Sequence, residues 1–587
     1  MKLSDALKTL QAAGIEGGRP YVVGLVCGFT PLHLETFLAA HLQQHLPDRK
    51  VTIKAGLFGD SAGTLEALTQ YERTSAVAIA LEWQDLDPRL GYRGAGAWGP
   101  SSLPDILSTA RSVLERMAAA IRKFSMPVAC CLPTLPLPPV FHTPGWQSSA
   151  AELELQRELL DFAAGCSSCP GFSLVNQQRL VEESPATQRY DAQADLLTGL
   201  PYTLKHADLV AAALARLIAP PPAKKGLITD LDDTLWRGLV GEIGPENVSW
   251  DLAAHAQIHG LYQKTLAMLS EEGVLVGIAS KNDLHIARQA LERADMLLPP
   301  ARVFPVEVHW NAKSGSVGRI LRAWNIAADS VVFVDDSPME LAEVAAAHPG
   351  IECLQFPAGD AAAGLMLLHR LRDLFGKPRL AEEDAIRLES LRRGAAFQEA
   401  AQAGSSADDF LRQAEAAITF DFDMHAEDAR VLELVNKTNQ FNLNGIRYAE
   451  AEWRSRLDAP GAILMSASYR DKFGPLGKIA VIQGRERDGV LHIGTWVMSC
   501  RAFARRIEHQ CLKTLFDRSR ATHVMFDFAR TAKNGPLRDF LASLAGTDIE
   551  GPVTLTREQF TQSCPPLYHR TEETESSRQL WTQSQPA

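Results

Sequence analysis

A basic excess is missing from this sequence: 59 lysines and arginines face 70 aspartates and glutamates, a formal charge of −11 over 587 residues. A polyphosphate backbone is held by a surplus of cations, so nucleic acid is excluded as the main partner. Long apolar runs are missing too. No segment approaches the roughly 18 apolar residues of a membrane span. The opening stretch MKLSDALKTLQAAGIEGG is polar and helical, with nothing of a signal peptide. These absences predict a soluble, cytoplasmic protein without nucleic-acid or membrane partners. The nine cysteines are scattered, several inside apolar runs (Cys27, Cys130, Cys131), as reduced thiols are. Cys166 and Cys169 in CSSC have no second pair at metal spacing, so a plain loop is expected there rather than a zinc site.

What is present is size and repetition. A chain of 587 residues exceeds what one hydrophobic core supports, and three domains are expected. Apolar runs at 21–29, 51–58, 75–83 and 126–133 lack strict alternation and are separated by amphipathic helical stretches. Buried parallel strands with crossover helices produce that pattern. This first α/β domain spans 1–219. It closes with a helix near 206–218 and the run Pro220-Pro221-Pro222-Ala223-Lys224-Lys225, a semi-rigid linker over 220–225. A second α/β unit follows over 226–375, a charged linker over 376–404, and a mixed α+β domain over 405–567. That third domain opens with helices and the strand ITFDFD, then carries strands near 462–470, 476–483 and 490–498. The polar remainder, 568–587, reads as a disordered tail.

In the second unit three apolar strands end in polar residues: GLIT runs into Asp230-Leu231-Asp232-Asp233-Thr234, VLVGIA into Ser280, and SVVFV into Asp335-Asp336. Carboxyl ends of parallel strands form the ligand crevice, so three polar ends imply one shared site. Asp230 and Asp232 lie two residues apart on one side of the extended chain. One carboxylate can attack phosphorus while the other handles the proton, through an aspartyl-phosphate that splits a hard transfer into two easier ones. Ser280 donates to a phosphoryl oxygen and Lys313, in WNAKS, neutralises developing charge. Asp230 and Asp335, with Asp336 beside it and the Asp232 carbonyl, supply the oxygens that Mg2+ requires. Thr234 and Asn282 join the site as substrate contacts. Fifty residues separate Asp230 from Ser280 and thirty-three separate Ser280 from Lys313, room for core helices but not for a large inserted cap.

The ordered set of DxDxT, Ser, Lys and DD resembles the haloacid-dehalogenase superfamily. The longer string LITDLDDTLWRGLVGE, with SKND, WNAKS, FVDDSP, NKTNQFNLN, RDKFG and SCRAFARRIE, is similar to its FkbH-like subgroup over about 20–570. It departs from that subgroup at Asp233, Arg237 and Ala504, where Asn, Gly and Gly are frequent. The resemblance implies a protein that diverts 1,3-bisphosphoglycerate into polyketide biosynthesis. It would remove phosphate with Mg2+ and load a glyceryl group onto an acyl carrier protein through its phosphopantetheine arm.

It further implies a capless haloacid-dehalogenase domain, an N-terminal flavodoxin-type domain that resembles the SGNH hydrolases, and a C-terminal domain of the GNAT acetyltransferase type. In the C-terminal domain Cys500, placed at a helix N-terminus beside Arg501, is expected to be an activated thiolate that accepts the acyl group. Arg501, Arg505, Asn436, Asn439 and Gln440 are expected to bind substrate. In the N-terminal domain Gly59-Asp60-Ser61 and His206 bring an esterase to mind. The serine follows the second strand rather than the first, so a degenerate domain used for packing or docking is expected. Two other readings remain: a small-molecule phosphatase without acyl transfer, and a scaffold for a synthase assembly.

Overall fold

The computed structural model describes residues 1–12, 18–70, 74–94, 100–138, 146–377, 388–389, 391–392, 407–423, 428–472, 474–487, 489–499, 502–503, 505–519, 521–531 and 533–574. The chain divides into two compact units, Met1–Pro221 and Pro222–Ala587, and the break falls inside the proline run. None of the helices described is long and apolar enough to cross a membrane.

The first unit is built on a parallel five-stranded sheet. Its strands are β1 (Arg19–Val26), β2 (Arg49–Ala55), β3 (Ala76–Ala80), β4 (Val128–Cys131) and β5 (Phe172–Leu174), in the order β2-β1-β3-β4-β5. The central strands are apolar throughout because both their faces are covered. Val77 and Ile79 pack on one side with Leu114 and Leu159, while Ala76, Ala78 and Ala80 pack on the other with Phe37 and Leu214.

The second unit carries two sheets. The first is parallel, with β6 (Gly226–Thr229), β7 (Leu275–Ser280), β8 (Val303–Val308), β9 (Val331–Asp335) and β10 (Glu352–Gln355) in the order β10-β9-β6-β7-β8. Alternate residues again feed two cores: Leu227, Val276 and Val334 on one face, Ile228, Leu275 and Phe333 on the other. Gly226 and Gly277 lie where the Trp324 ring rests on the sheet. A Cβ at either would come within 2.5 and 2.9 Å of the indole, so only glycine admits it. Between β6 and β7 the chain forms the short helix Val240–Ile243 and the helix Gln257–Glu271.

The last sheet is mixed: β11 (Ala417–Asp421), β12 (Phe441–Asn442), β13 (Ala462–Asp471), β14 (Gly474–Arg487), β15 (Val490–Met498), β16 (His523–Phe526), β17 (Val553–Thr556) and β18 (Arg570–Glu573). β16 runs parallel to the first half of β15, pairing Val490–Ile493 with His523–Phe526. Beyond that point β12 takes its place, pairing with Met498 and Val497. Leu443 donates to the Trp496 carbonyl at 3.0 Å and accepts from the Ala529 amide at 3.1 Å, so the chain's own segment fills the gap between two diverging stretches.

Two expectations are corrected. Residues 570–573, placed in a disordered tail, form β18, which pairs in parallel with β11 and is tied by Arg470 to Glu572 at 3.0 Å. Backbone pairing at a sheet edge needs no apolar side chains, so the polar composition concealed it. Within the expected linker, Leu388 and Leu391 pack against the Ile228 and Phe333 face of the second sheet.

Candidate active site

The carboxyl end of β6 aims Asp230 into a crevice bounded by the ends of β7 and β9, where Ser280 and Asp335 sit. Lys313 comes from the first turn of the helix Lys313–Trp324 that follows β8. Its Nζ lies 2.9 Å from Asp230 Oδ2 and 2.6 Å from Asp335 Oδ2. Asp230, Ser280, Lys313 and Asp335 are all buried, each at 5% exposure or less. Asp335 is further fixed by the Ser337 amide, which donates to its Oδ1 at 2.9 Å.

Carboxylate oxygens of Asp230, Asp335 and Asp336 lie within 4.8 Å of one another. Burial raises the Asp230 carboxyl above its ordinary range, against the pull of Lys313, the Leu231 amide and Ser280. Asp335 is raised by burial and then by the charge of Asp230, and Asp336 by the same two causes in the same order. For Lys313 burial works against the charge, but Asp230 and Asp335 outweigh it and hold the ammonium up. When all are ionised, three carboxylates face one lysine, and two negative charges stay uncompensated. Asp230 Oδ1 is buried without a hydrogen-bond partner among the described residues. An all-oxygen donor set short of two positive charges fits a hard divalent cation.

Asp232 is held differently. Its Oδ1 accepts from the Trp236 indole at 2.9 Å and the Val240 amide at 3.1 Å, and its Oδ2 from Asn282 Nδ2 at 3.0 Å. The side chain is thus turned out of the carboxylate cluster, and only its carbonyl is left for the metal role expected of it. Asn282 Nδ2 also reaches Ser280 Oγ at 3.2 Å, so this expected substrate contact binds two site residues together. The Trp236 and Val240 donors had no signal in sequence, because their reach depends on the tight turn after Asp232. Asp233 adopts a positive φ of 47°, which Asn and Asp tolerate, and accepts from the Gly238 amide at 2.8 Å. Thr234 is fully buried and its carbonyl accepts from His259 Nδ1 at 3.0 Å, so it supports the turn from below rather than meeting solvent.

Cys500, Arg501 and Ala504 lie outside the described residues. The helix expected to start at Cys500 therefore has its start outside the described residues, and the α-helix described next is Ile507–Arg518. Arg505 is 4% exposed, lies 3.5 Å from Asp471 and stacks on Tyr469, which makes it a packing group rather than an open arm. Asn436 clasps Tyr448 through both its amide atoms, at 2.9 Å each, a loop lock in place of the substrate role. Asn439 accepts from Arg447 at 2.6 Å, and both Asn439 and Gln440 face a cavity.

In the first unit Ser61 and His206 form no pair. Ser61 Oγ donates to Asp85 at 2.6 Å, whereas His206 is fully buried between Thr134 (2.8 Å) and Ser184 (2.9 Å). Burial and the Arg189 charge push the His206 ring down to about 3, too low for a general base near neutrality.

No family model and no curated relative matches the chain. Among solved structures it is similar to the N-terminal part of the protein BF1531 from Bacteroides fragilis, described as containing a phosphatase domain complexed with Mg. That likeness has 17% identity and a TM-score of 0.51, over 64% of this chain and 99% of the other. An uncharacterized protein from Corynebacterium glutamicum, at 18% identity, matches 26% of this chain and 98% of its own with a TM-score of 0.19, which carries no argument. The first likeness shows the α/β fold.

Proposed function

We propose that the chain is a Mg2+-dependent phosphatase of the haloacid-dehalogenase type, with Asp230 as nucleophile. The observation that carries this reading is the crevice itself: Lys313 bridges two buried carboxylates while Asp230 Oδ1 stays without a partner. The Mg2+ ion named for the Bacteroides fragilis protein suits the same three carboxylates. Once bound, it offsets their charge and that of the entering phosphate.

In the first step Asp230 Oδ1 attacks phosphorus, the ester P–O bond breaks, and the departing oxygen takes a proton from Asp232. In the second, water attacks the aspartyl-phosphate, Asp232 takes the water's proton, and the bond to Asp230 breaks to release phosphate. Trp236, Val240 and Asn282 hold Asp232 for both transfers. Ser280 and Lys313 stand where they steady the phosphoryl oxygens. Phosphate release from p-nitrophenyl phosphate tests the reading: Asp230→Asn should release none, and wild-type rates in that variant would remove Asp230 from the role.

The finer reading follows the FkbH-like motifs. The substrate would be 1,3-bisphosphoglycerate: the Cys500 thiol would displace its acyl phosphate to form a thioester, the carrier's pantetheine thiol would take the acyl group and free Cys500, and the remaining phosphate ester would be hydrolysed at Asp230, leaving a glyceryl group on the carrier. Intact-protein mass spectrometry of candidate carrier proteins, after incubation with 1,3-bisphosphoglycerate and Mg2+, should show a glyceryl increment that Cys500→Ala abolishes. Loading at the normal rate in Cys500→Ala would mean direct transfer to the arm. No increment in any carrier leaves the simpler phosphatase.

A further inference from the structure

Around the mouth of the carboxylate crevice the loops carry large apolar side chains that the fold leaves in water. Trp310, three residues before Lys313, is 74% exposed, and Met339, three residues after Asp336, is 78% exposed. Leu239, Ile243 and Leu284 are between 40 and 42% exposed. Single exposed apolar residues are ordinary on a surface, but these five stand on the segments that also carry the site residues. The His309 amide donates to the Ser280 carbonyl at 3.1 Å, which ties the segment of Trp310 to the end of β7. Lys281 reaches Glu340 at 2.7 Å, which ties the first turn of the helix Pro338–Ala347, and Met339 with it, to the same strand end.

Two banks result. The helices Lys313–Trp324 and Pro338–Ala347 pack together and send Val317, Ile320, Leu341 and Val344 into the core on one face of the sheet, so Trp310 and Met339 belong to one bank. The helix Val240–Ile243 packs on the helix Leu284–Leu291, and Val240, Ala287 and Leu291 enter the core on the other face, so Leu239, Ile243 and Leu284 form the opposite bank. Asp232 marks where the body of a substrate begins. It gives its proton to the departing oxygen, and it is itself held by the Val240 amide, next to Leu239, and by Asn282, two residues from Leu284. An alcohol leaving from phosphorus therefore departs onto apolar side chains, while the phosphoryl group stays on the charged floor.

We infer that the two banks select the leaving group: Trp310, Met339 and Leu284 hold the apolar body of a phosphate monoester whose alcohol is an extended chain. The inference rests on the phosphatase reading of Asp230 and deepens it by naming the class of ester. Covering these side chains removes apolar area from water, so each methylene that reaches them strengthens binding. Free 1,3-bisphosphoglycerate is charged at both ends and offers the banks no such body. In the finer reading Asp230 meets its ester after the acyl group has joined a thiol, and the body is then the chain beyond the thioester.

Straight-chain alkyl phosphates test this, because ethanol and octanol are nearly equal in acidity and only the body changes. Phosphate release by the full chain in Mg2+ is measured with ethyl, butyl and octyl phosphate below micelle-forming concentrations, and with triethylene glycol monophosphate, which is long but polar. From ethyl to octyl phosphate kcat/KM should rise about tenfold or more, and the polar ester should stay near ethyl phosphate. Trp310→Ser and Leu284→Ser, both changes at exposed side chains, should each lower the octyl-to-ethyl ratio about threefold, and the double variant should bring it close to unity. Circular dichroism of each variant verifies folding. A wild-type ratio that does not rise with chain length, equal rates for the octyl and the polar ester, or an unchanged ratio in the double variant would each overturn the inference while leaving Asp230 as nucleophile. Absence of release from every ester, p-nitrophenyl phosphate included, would overturn the phosphatase reading and this inference with it.

Discussion

The two parallel sheets both place acidic side chains at strand ends and both raise them. After β3, burial lifts Glu82 to about 7 and Asp85 to about 6. Yet every neighbour of Glu82 calms it: Thr134 donates from its amide and hydroxyl, Leu135 from its amide, and Tyr202 from its hydroxyl at 2.6 Å. In the second sheet burial raises Asp230, Asp335 and Asp336, and the charge of Asp230 then raises the other two, while Lys313 draws all three down. A perturbed carboxyl therefore does not by itself mark a reactive site. The mark is a group of acids in which one carboxylate repels the others, since that repulsion awaits a cation. An acid surrounded by donors has its ligand in the fold.

This contrast can be broken by substitution. The largest effect is expected for Asp230→Asn, which should cut phosphate release about a thousand-fold or more, as EDTA does, while melting no earlier than wild type. A lower melting temperature would put Asp230 in the same class as Glu82. Next, Glu82→Ala should cost about 2–4 kcal/mol in denaturant unfolding and leave phosphate release untouched. Equal stability would mean that its donors find other partners.

Asn282→Ala should lower kcat about 10–100-fold with little change in KM, since Asn282 positions Asp232. A change in KM alone would recast it as a substrate contact. The pH dependence supplies a smaller effect. Folded Glu82 keeps its proton up to about 7, against an ordinary 4.5 in the unfolded chain. Its contribution is therefore full below the lower value and lost as pH rises through the upper one. Between pH 5 and 7 the stability of wild type relative to Glu82→Gln should fall by up to about 1.4 kcal/mol per unit, and a flat difference would refute the raised carboxyl. Smallest, Ser61→Ala should cost about 1 kcal/mol and leave p-nitrophenyl acetate hydrolysis no different from wild type.

Sequence made the parallel strands legible because burial on both faces leaves uninterrupted apolar runs, as in GLIT and SVVFV. The ends of these strings and of VLVGIA carried Asp230, Asp335 and Ser280, which the fold gathers with Lys313. What sequence hid was set by backbone and by distant partners. β18 is polar because an edge strand is held by main-chain bonds, and the two-residue β12 is too short for any periodicity. Asn436 resembled a ligand contact until its Tyr448 partner twelve residues on was placed. The donors on Asp232 likewise depend on a turn that composition does not report.

One helix, Lys313–Trp324, begins in the carboxylate crevice and ends at the wall of the cavity that Asn439 and Gln440 face. Eleven steps of about 1.5 Å set the two ends about 17 Å apart, with a packed sheet between them. Traffic between the ends must therefore go around the sheet. A compound made at Asp230 and consumed at the far end would mix with the surrounding solution unless it rode on an arm longer than that span. Added unlabelled compound would dilute a radioactive pulse in the first case and leave it intact in the second.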